Sequence, residues 1–298
     1  MLDYPSLAAV AAVVREGTFE RAAATLGMTS SAVSQRVRGL EERLGSILIN
    51  RGQPCEATSL GRELCAHYDR VRLLEQDLSL TLVPAAVPPT LPVAVNADSF
   101  ATWFHRAVAA FGRETRLSLD FKLDDEAHTA ERLRRGEVVA AVSADPRPVP
   151  GCKTIALGAL RYVACASPDF MARYFSHGVQ RASLDSAPCL RFDRRDELQA
   201  RWARDAYQIE LKAPVHWVPS THGFLDLTLA GFAWSMQPLS LIGTYLEAGR
   251  LIELPPGLRL DVQLYWIVAR LHAGALQHLT RIVHAIAAQE LLAIAPSG

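Results

Sequence analysis

The chain has 298 residues, half of them hydrophobic, enough apolar material to bury a large core and to build about two domains. Lys+Arg and Asp+Glu both count 31, so the formal net charge is zero and a globally basic nucleic-acid binder is excluded; any basic surface is local. Lys122, Lys153 and Lys212 are the only lysines, and every other cation is arginine, a composition that fits a GC-rich genome better than selection for bidentate contacts. The five cysteines form no C-x-x-C pair, which predicts a reducing, cytoplasmic setting. The start Met1-Leu2-Asp3-Tyr4-Pro5 lacks the basic region of a signal peptide. The longest apolar stretch of note, Leu7 to Val14, is far short of the roughly 18 residues a membrane span needs, so no membrane partner is expected.

Residues 6–45 contain no proline and read as three helices. Leu7, Val10, Ala11 and Val14 recur at helical spacing up to a break at Gly17; Thr18 caps a second helix, Phe19 to Leu26; Gly27-Met28 turns the chain. Thr29 or Ser30 then caps a third helix with the apolar stripe Ala32, Val33, Val37, Leu40 and Leu44. A tight Gly-containing turn between the second and third makes a helix-turn-helix unit. Ile47-Leu48-Ile49 reads as a short strand and Gln53-Pro54 as a turn, the outline of a wing. From Ser59, the apolar positions Leu60, Leu64, Tyr68, Val71, Leu74, Leu78 and Leu82 recur every three or four residues. They define a helix about 36 Å long that needs a partner, so it is expected to dimerise the chain.

Pro84, Pro88, Pro89 and Pro92 mark the main domain boundary. After it come a strand at 91–95, a helix at 99–112, a strand at 117–123, a helix at 129–135 and a strand at 138–143, a β-α-β-α-β order that implies a parallel sheet. The pattern restarts after Pro146 to Pro150, with strands near 160–166, 189–193, 215–218 and 233–236 and helices near 168–175, 195–207 and 221–230. A strand at 262–269 and a helix at 273–292 close the chain. Two α/β lobes with a cleft between them are the economical reading.

The third helix carries Ser30, Ser31, Ser34, Gln35 and Arg38 on the face opposite its apolar stripe, and residues 27–40 hold Arg36 and Arg38 with no acid. Short hydroxyls, an amide and guanidinium groups suit base edges and phosphates, although a serine-rich helix start is by itself an ordinary cap. In the second part, Asn96 to Ser99 lies where a strand runs into a helix start, which offers N–H donors to a carboxylate while Asp98 can hold an ammonium. The second strand ends in Asp124-Asp125-Glu126, acids that favour a cationic side chain and otherwise simply cap the next helix. Ser143, Asp193, Ser220 and Thr221 are further cleft positions at strand ends or helix starts.

Enzyme signatures are missing. The nine histidines never form H-E-x-x-H, and their closest pairs are six apart, which points two helical side chains away from each other. There is no G-x-S-x-G, Walker loop or G-x-G-x-x-G, and Cys165 and Cys189 fall in apolar strands as small core residues. No catalytic residue, metal site or cofactor is therefore assigned.

Phe19-Glu20-Arg21-Ala22-Ala23, Ser31-Ala32-Val33-Ser34-Gln35-Arg36, then Leu40-Glu41, Leu44-Gly45, Leu48 and Arg51 resemble the N-terminal signature of LysR-type transcriptional regulators. Asn96-Ala97-Asp98-Ser99 with Ala101-Thr102-Trp103, Asp124-Asp125-Glu126 with Thr129, Glu131 to Val139, and Leu157 to Leu160 with Tyr162 are similar to the ArgP/LysG (IciA) branch of that family. The chain departs from the pattern at Ile49, where the family mostly has phenylalanine, at Phe232-Ala233 after Gly231, and in the individual loop 219–223.

The resemblance implies an all-α winged helix-turn-helix (1–58), a linker and dimerisation helix with hinge (59–88), and a two-lobed, periplasmic-binding-protein-like α/β sensor (89–298). Lobe I would span about 90–160 and 267–298, and lobe II about 161–266. It further implies contacts to promoter DNA from Ser30, Ser31, Ser34, Gln35, Arg36 and Arg38, with Arg51 and Thr58 near the wing. Asn96, Asp98, Ser99, Asp124, Asp125, Glu126, Thr129, Ser143, Asp193, Ser220 and Thr221 would hold a lysine or arginine effector. The expected assembly is a homodimer or homotetramer controlling an amino acid exporter gene, with RNA polymerase as a candidate partner. Two other functions compete: a replication-origin or nucleoid-associated DNA-binding protein of the same fold, and a cytosolic amino-acid-binding enzyme. Promoter-specific binding altered by lysine or arginine, broad binding without ligand effect, and turnover of an amino acid distinguish the three.

Overall fold

The computed structural model describes residues 3–82, 90–124, 132–133, 137–270 and 274–293. The first three helices are α1 (Tyr4–Glu16), α2 (Phe19–Leu26) and α3 (Ser30–Leu44). Their ends follow the local chemistry: the Thr18 hydroxyl accepts from Arg21 N at 3.2 Å, and Gly17, Gly27 and Gly45 close the three helices in left-handed conformation. Leu7, Val10, Val13, Ala22, Val33, Val37 and Leu40 bury together into one small core. The wing pairs β1 (Ile49–Asn50) with β2 (Glu56–Ala57), antiparallel; the expected strand at 47–49 starts two residues later because Ile47 is exposed while Leu48 and Ile49 enter the core. α4 (Ser59–Leu82) follows, and its Leu60, Leu64 and Tyr68 pack on the core of the first three helices.

In the second part, β3 (Thr90–Asn96) pairs in parallel with β4 (Ser118–Asp124) and with β5 (Ala140–Ser143). Between β3 and β4 runs a helix that is α-helical at Ala97–Ser99 (α5), π-helical at Phe100–Phe104 and α-helical again at His105–Glu114 (α6). The helix expected at 129–135 lies outside the described residues except for Arg132 and Leu133, which are helical.

The purely parallel sheet expected from the β-α-β order is corrected by two long strands, β6 (Cys152–Ala166) and β11 (Arg259–Ala269). They pair antiparallel along their length, from Cys152 with Ala269 to Val163 with Arg259. β6 also pairs antiparallel with β9 (Ser235–Pro238) and β10 (Ile252–Glu253), giving one mixed sheet in the order β10-β6-β11-β5-β3-β4 with β9 beside β6. This ribbon joins the two lobes. In the second lobe β7 (Cys189–Arg191) pairs in parallel with β8 (Val215–Trp217). Helices Pro168–Tyr174, Arg181–Ser186, Leu198–Tyr207, Thr221–Leu229 and Leu239–Glu247 surround these strands, the second and last of them beyond what the sequence reading anticipated.

An aromatic core spans both lobes, with Trp103, Phe104, Tyr162, Trp202, Trp234 and Trp266 fully buried. The closing helix Gly274–Glu290 seals the first lobe, its Thr280 hydroxyl accepting from Trp266 Nε1 at 3.0 Å. Among the described residues, no helix is long and apolar enough to cross a membrane.

Candidate functional site

α3 begins where Thr29, in extended backbone, accepts from Ala32 N at 3.2 Å through its hydroxyl. Val33, Val37 and Leu40 are buried. At about 100° per residue, Ser31, Gln35 and Arg38 then fall on the opposite side and Ser34 and Arg36 on the flanks. Ser30, Ser31, Gln35, Arg36 and Arg38 are exposed and Ser34 is half-buried. Among the described residues, neither Arg36 nor Arg38 joins a salt bridge, so both keep all their N–H donors for a phosphate or a base edge.

The two wing positions have structural partners of their own. Arg51 lies 4.0 Å from the Glu41 carboxylate and 5.4 Å from the Phe19 ring centroid. Glu41 in turn accepts from the N–H of Leu48 at 2.8 Å and of Ile49 at 3.3 Å, tying α3 to the wing. The Thr58 hydroxyl donates to Ile47 O at 2.9 Å and accepts from Gly61 N at 3.1 Å, capping α4.

The second site is a cavity of about 510 Å³ between the lobes. β3 delivers Asn96 to its wall, and α5 adds Ala97 and Asp98. Asp98 is held from two directions: Tyr162 Oη of β6 donates at 2.8 Å, and the Thr221 hydroxyl, at the first turn of helix Thr221–Leu229, donates at 2.6 Å. The second of these bonds crosses the cleft. The opposite wall comes from Phe192 and from Arg195 to Gln199, which run from β7 into the first turn of helix Leu198–Tyr207, with Thr221, Phe224 and Met236.

Within that wall, Asp196 accepts from Phe192 N at 2.9 Å, Leu198 N at 3.0 Å and Gln199 Nε2 at 3.3 Å. Burial pushes its carboxyl up from the ordinary value; the two backbone N–H groups and the amide oppose the rise, and the charge of Asp98 adds to it. Arg195, Arg201 and Arg204 are exposed around the mouth. More of the lining is apolar than polar, with Phe192, Leu198, Phe224 and Met236 among the apolar side chains and Asn96, Asp98 and Asp196 as polar groups able to orient a small ligand.

Of the cleft residues expected from sequence, Asn96, Asp98 and Thr221 line this cavity. Four others do not. Ser99 is buried in the helix start, and the Ser143 hydroxyl accepts from Asp145 N at 3.1 Å. Asp193 accepts from the N–H of Arg195 at 2.7 Å and of Asp196 at 3.1 Å, and Ser220 caps its helix by accepting from Gly223 N at 3.0 Å. Asp124 pairs with Asn96 through the β3–β4 ladder; Asp125, Glu126 and Thr129 lie outside the described residues. Asp196 and Gln199 escape sequence reasoning, although the charged run Asp193-Arg194-Arg195-Asp196-Glu197 directly after a strand is a visible signal.

Comparison with known proteins places these two sites in context. Residues 5–62 match the family described as "Bacterial regulatory helix-turn-helix protein, lysR family", and residues 85–288 match "LysR substrate binding domain". The chain is 42% identical over 297 residues, 99% of each chain, to the HTH-type transcriptional regulator ArgP of Pseudomonas aeruginosa. Among solved structures, ArgP from Mycobacterium tuberculosis is similar with a TM-score of 0.84 at 36% identity, covering 99% of this chain and 100% of that one. Full-length LysG from Corynebacterium glutamicum, described with bound effector Arg, is similar with a TM-score of 0.73 at 32% identity, covering 98% and 100%.

Proposed function

Because the chain belongs to the LysR family of bacterial helix-turn-helix transcriptional regulators, we propose that it controls its promoter in response to a basic amino acid, lysine or arginine, bound between the two sensor lobes. In this reading residues 1–58 read DNA, 59–88 dimerise the chain and transmit the signal, and 89–298 sense the effector. The regulator works in the cytoplasm as a homodimer or homotetramer, acts on an amino acid exporter gene and engages RNA polymerase at the promoter.

The observation that carries the effector assignment is the cavity itself. It has room for one amino acid, and the Asp98 carboxylate on one lobe is gripped by Thr221 from the other. A ligand ammonium on Asp98 would be held by both lobes at once and would favour the closed arrangement, which is how differential binding shifts a conformational equilibrium. The bound arginine of the similar LysG supports the same ligand class. Sequence-specific DNA contact is assigned to Ser30, Ser31, Ser34, Gln35, Arg36 and Arg38, with Arg51 and Thr58 shaping the wing.

A thermal-shift screen of the full chain against the twenty amino acids tests the effector. Lysine or arginine at about 100 times Kd is expected to raise the midpoint by roughly 5–10 °C. A screen in which neither moves it overturns the assignment.

A further inference from the structure

The cavity walls carry more acceptors than one ammonium uses. Asp196 is the second carboxylate on the wall, and among the described residues no lysine or arginine nitrogen lies within salt-bridge distance of it. All three of its hydrogen-bond partners are donors, the arrangement of an ionised carboxylate. Burial and the charge of Asp98 both work against that ionised form, and among the described residues no cationic side chain sits close enough to offset it.

Gln199 adds an independent sign. It is fully buried in the same wall, and its Oε1 meets no donor among the described residues. The amide orientation is fixed by its neighbour: Nε2 donates to Asp196 Oδ2, and turning the amide over would bring two oxygens together. Oε1 is thus a buried acceptor waiting for an N–H. Buried polar atoms of native proteins are ordinarily paired, so an orphan amide oxygen beside a carboxylate that meets no cationic side chain among the described residues marks a place where donors arrive with a ligand.

Resting on the basic amino acid reading above, we infer that Asp196 and Gln199 form the specificity pocket for the cationic end of the effector side chain, while Asp98 takes the α-ammonium. Leu198, Phe224 and Met236 on the same cavity wall would cover the intervening methylenes. A guanidinium, with five N–H donors in a planar fork, satisfies a carboxylate and an amide oxygen together; an ammonium does so with two of its three donors. A neutral side chain of the same length leaves Asp196 without its counter-charge. The effector must therefore carry two cations, and the second lobe does the discriminating.

Calorimetric titration of the full chain with L-arginine, L-lysine and L-citrulline tests this, citrulline keeping the shape of arginine without its side-chain charge. Wild type is expected to prefer arginine or lysine over citrulline by about tenfold to a hundredfold, the worth of a hydrogen bond to a charged group. Asp196→Asn should erase that preference while leaving citrulline binding unchanged, and Gln199→Met should weaken arginine about tenfold with Gln199→Glu restoring it. Failure of wild type to bind arginine or lysine at all overturns the basic amino acid reading. A wild type that binds arginine and citrulline alike, or an Asp196→Asn variant that keeps the full preference, overturns the specificity pocket alone. Should Asp196→Asn not fold, the wild-type preference and the Gln199 pair decide.

Discussion

Arg38 projects from the exposed face of α3, free of any salt bridge among the described residues, while its neighbour Val37 anchors the helix from the buried side. Replacing it by alanine removes donors without touching the core. The expected outcome for Arg38→Ala is an unchanged unfolding midpoint and a loss of about 1–3 kcal/mol in specific operator binding, read by gel shift against a scrambled competitor. Wild-type binding by this variant would remove Arg38 from the interface. Thr58 makes the opposite case. Its hydroxyl is committed at both ends, to Ile47 O and to Gly61 N, so Thr58→Ala is expected to cost about 0.5–2 kcal/mol of stability through the lost cap. A normal midpoint with weakened DNA binding would instead make Thr58 a direct contact. Zero net charge, which at first argues against nucleic acid, is compatible with the proposed reading: α3 presents Arg36 and Arg38, which join no salt bridge among the described residues, on an exposed face.

Among the elements, the helix-turn-helix was legible because each of its boundaries is set by residues next to it in sequence. Thr18 and Thr29 cap, Gly17, Gly27 and Gly45 terminate, and the apolar stripe follows the helical period. The long strands β6 and β11 were not legible to their full extent, because their length is set by each other across about a hundred residues of chain. Only local period and turn residues show in a sequence; partner choice does not. The same distance effect hid half of the proposed effector site. Asn96 and Asp98 announce themselves at a strand end, whereas Asp196 and Gln199 become cavity residues only when β7 and its following helix are folded against the first lobe. Within the ribbon, Arg161 on β6 and Asp261 on β11 pair at 2.7 Å, and the arginine holds the exposed Asp261 carboxyl below its ordinary range. That contribution exists above the unfolded-state value near 3.8 and fades as pH falls through the folded-state value. Exposed pairs contribute less than about 1 kcal/mol, so Asp261→Asn should barely move the thermal midpoint. Gly158 in β6 is expected to matter more. Its φ is +142°, and an added Cβ would stand 2.7 Å from Leu291 Cβ and 2.9 Å from Leu292 O, where the chain end is clipped to β6 by two bonds with Ala159. Gly158→Ala should cost about 1–3 kcal/mol and exceed Asp261→Asn in any thermal-unfolding comparison. The reverse order would mean that charge, not close packing, holds the ribbon.

At the scale of the whole molecule, the two lobes meet over a cleft that holds Asp98, Asp196 and Glu197 with Arg195, Arg201 and Arg204 at its mouth. The pH dependence of the proposed effector binding follows from Asp196, the acid whose carboxyl is raised by burial. Burial, with the charge of Asp98, raises the Asp196 carboxyl above 3.8, so the folded free protein keeps that proton to higher pH than the unfolded chain does. The free protein's stability from this group is therefore greatest below 3.8 and declines as pH rises through the folded-state value. A bound cation needs the ionised carboxylate, so affinity moves the other way, rising through the same interval and levelling off above it. Binding in that interval must release a proton, because the ligand draws Asp196 into its charged form. Titrating arginine into the full chain in two buffers of different ionisation enthalpy measures the release. It should be present while pH rises through the folded-state value, vanish above it, and disappear in Asp196→Asn, where no proton is left to lose. Release that persists in that variant would take the proton away from Asp196 and overturn its role as the acid that the cation draws into charged form.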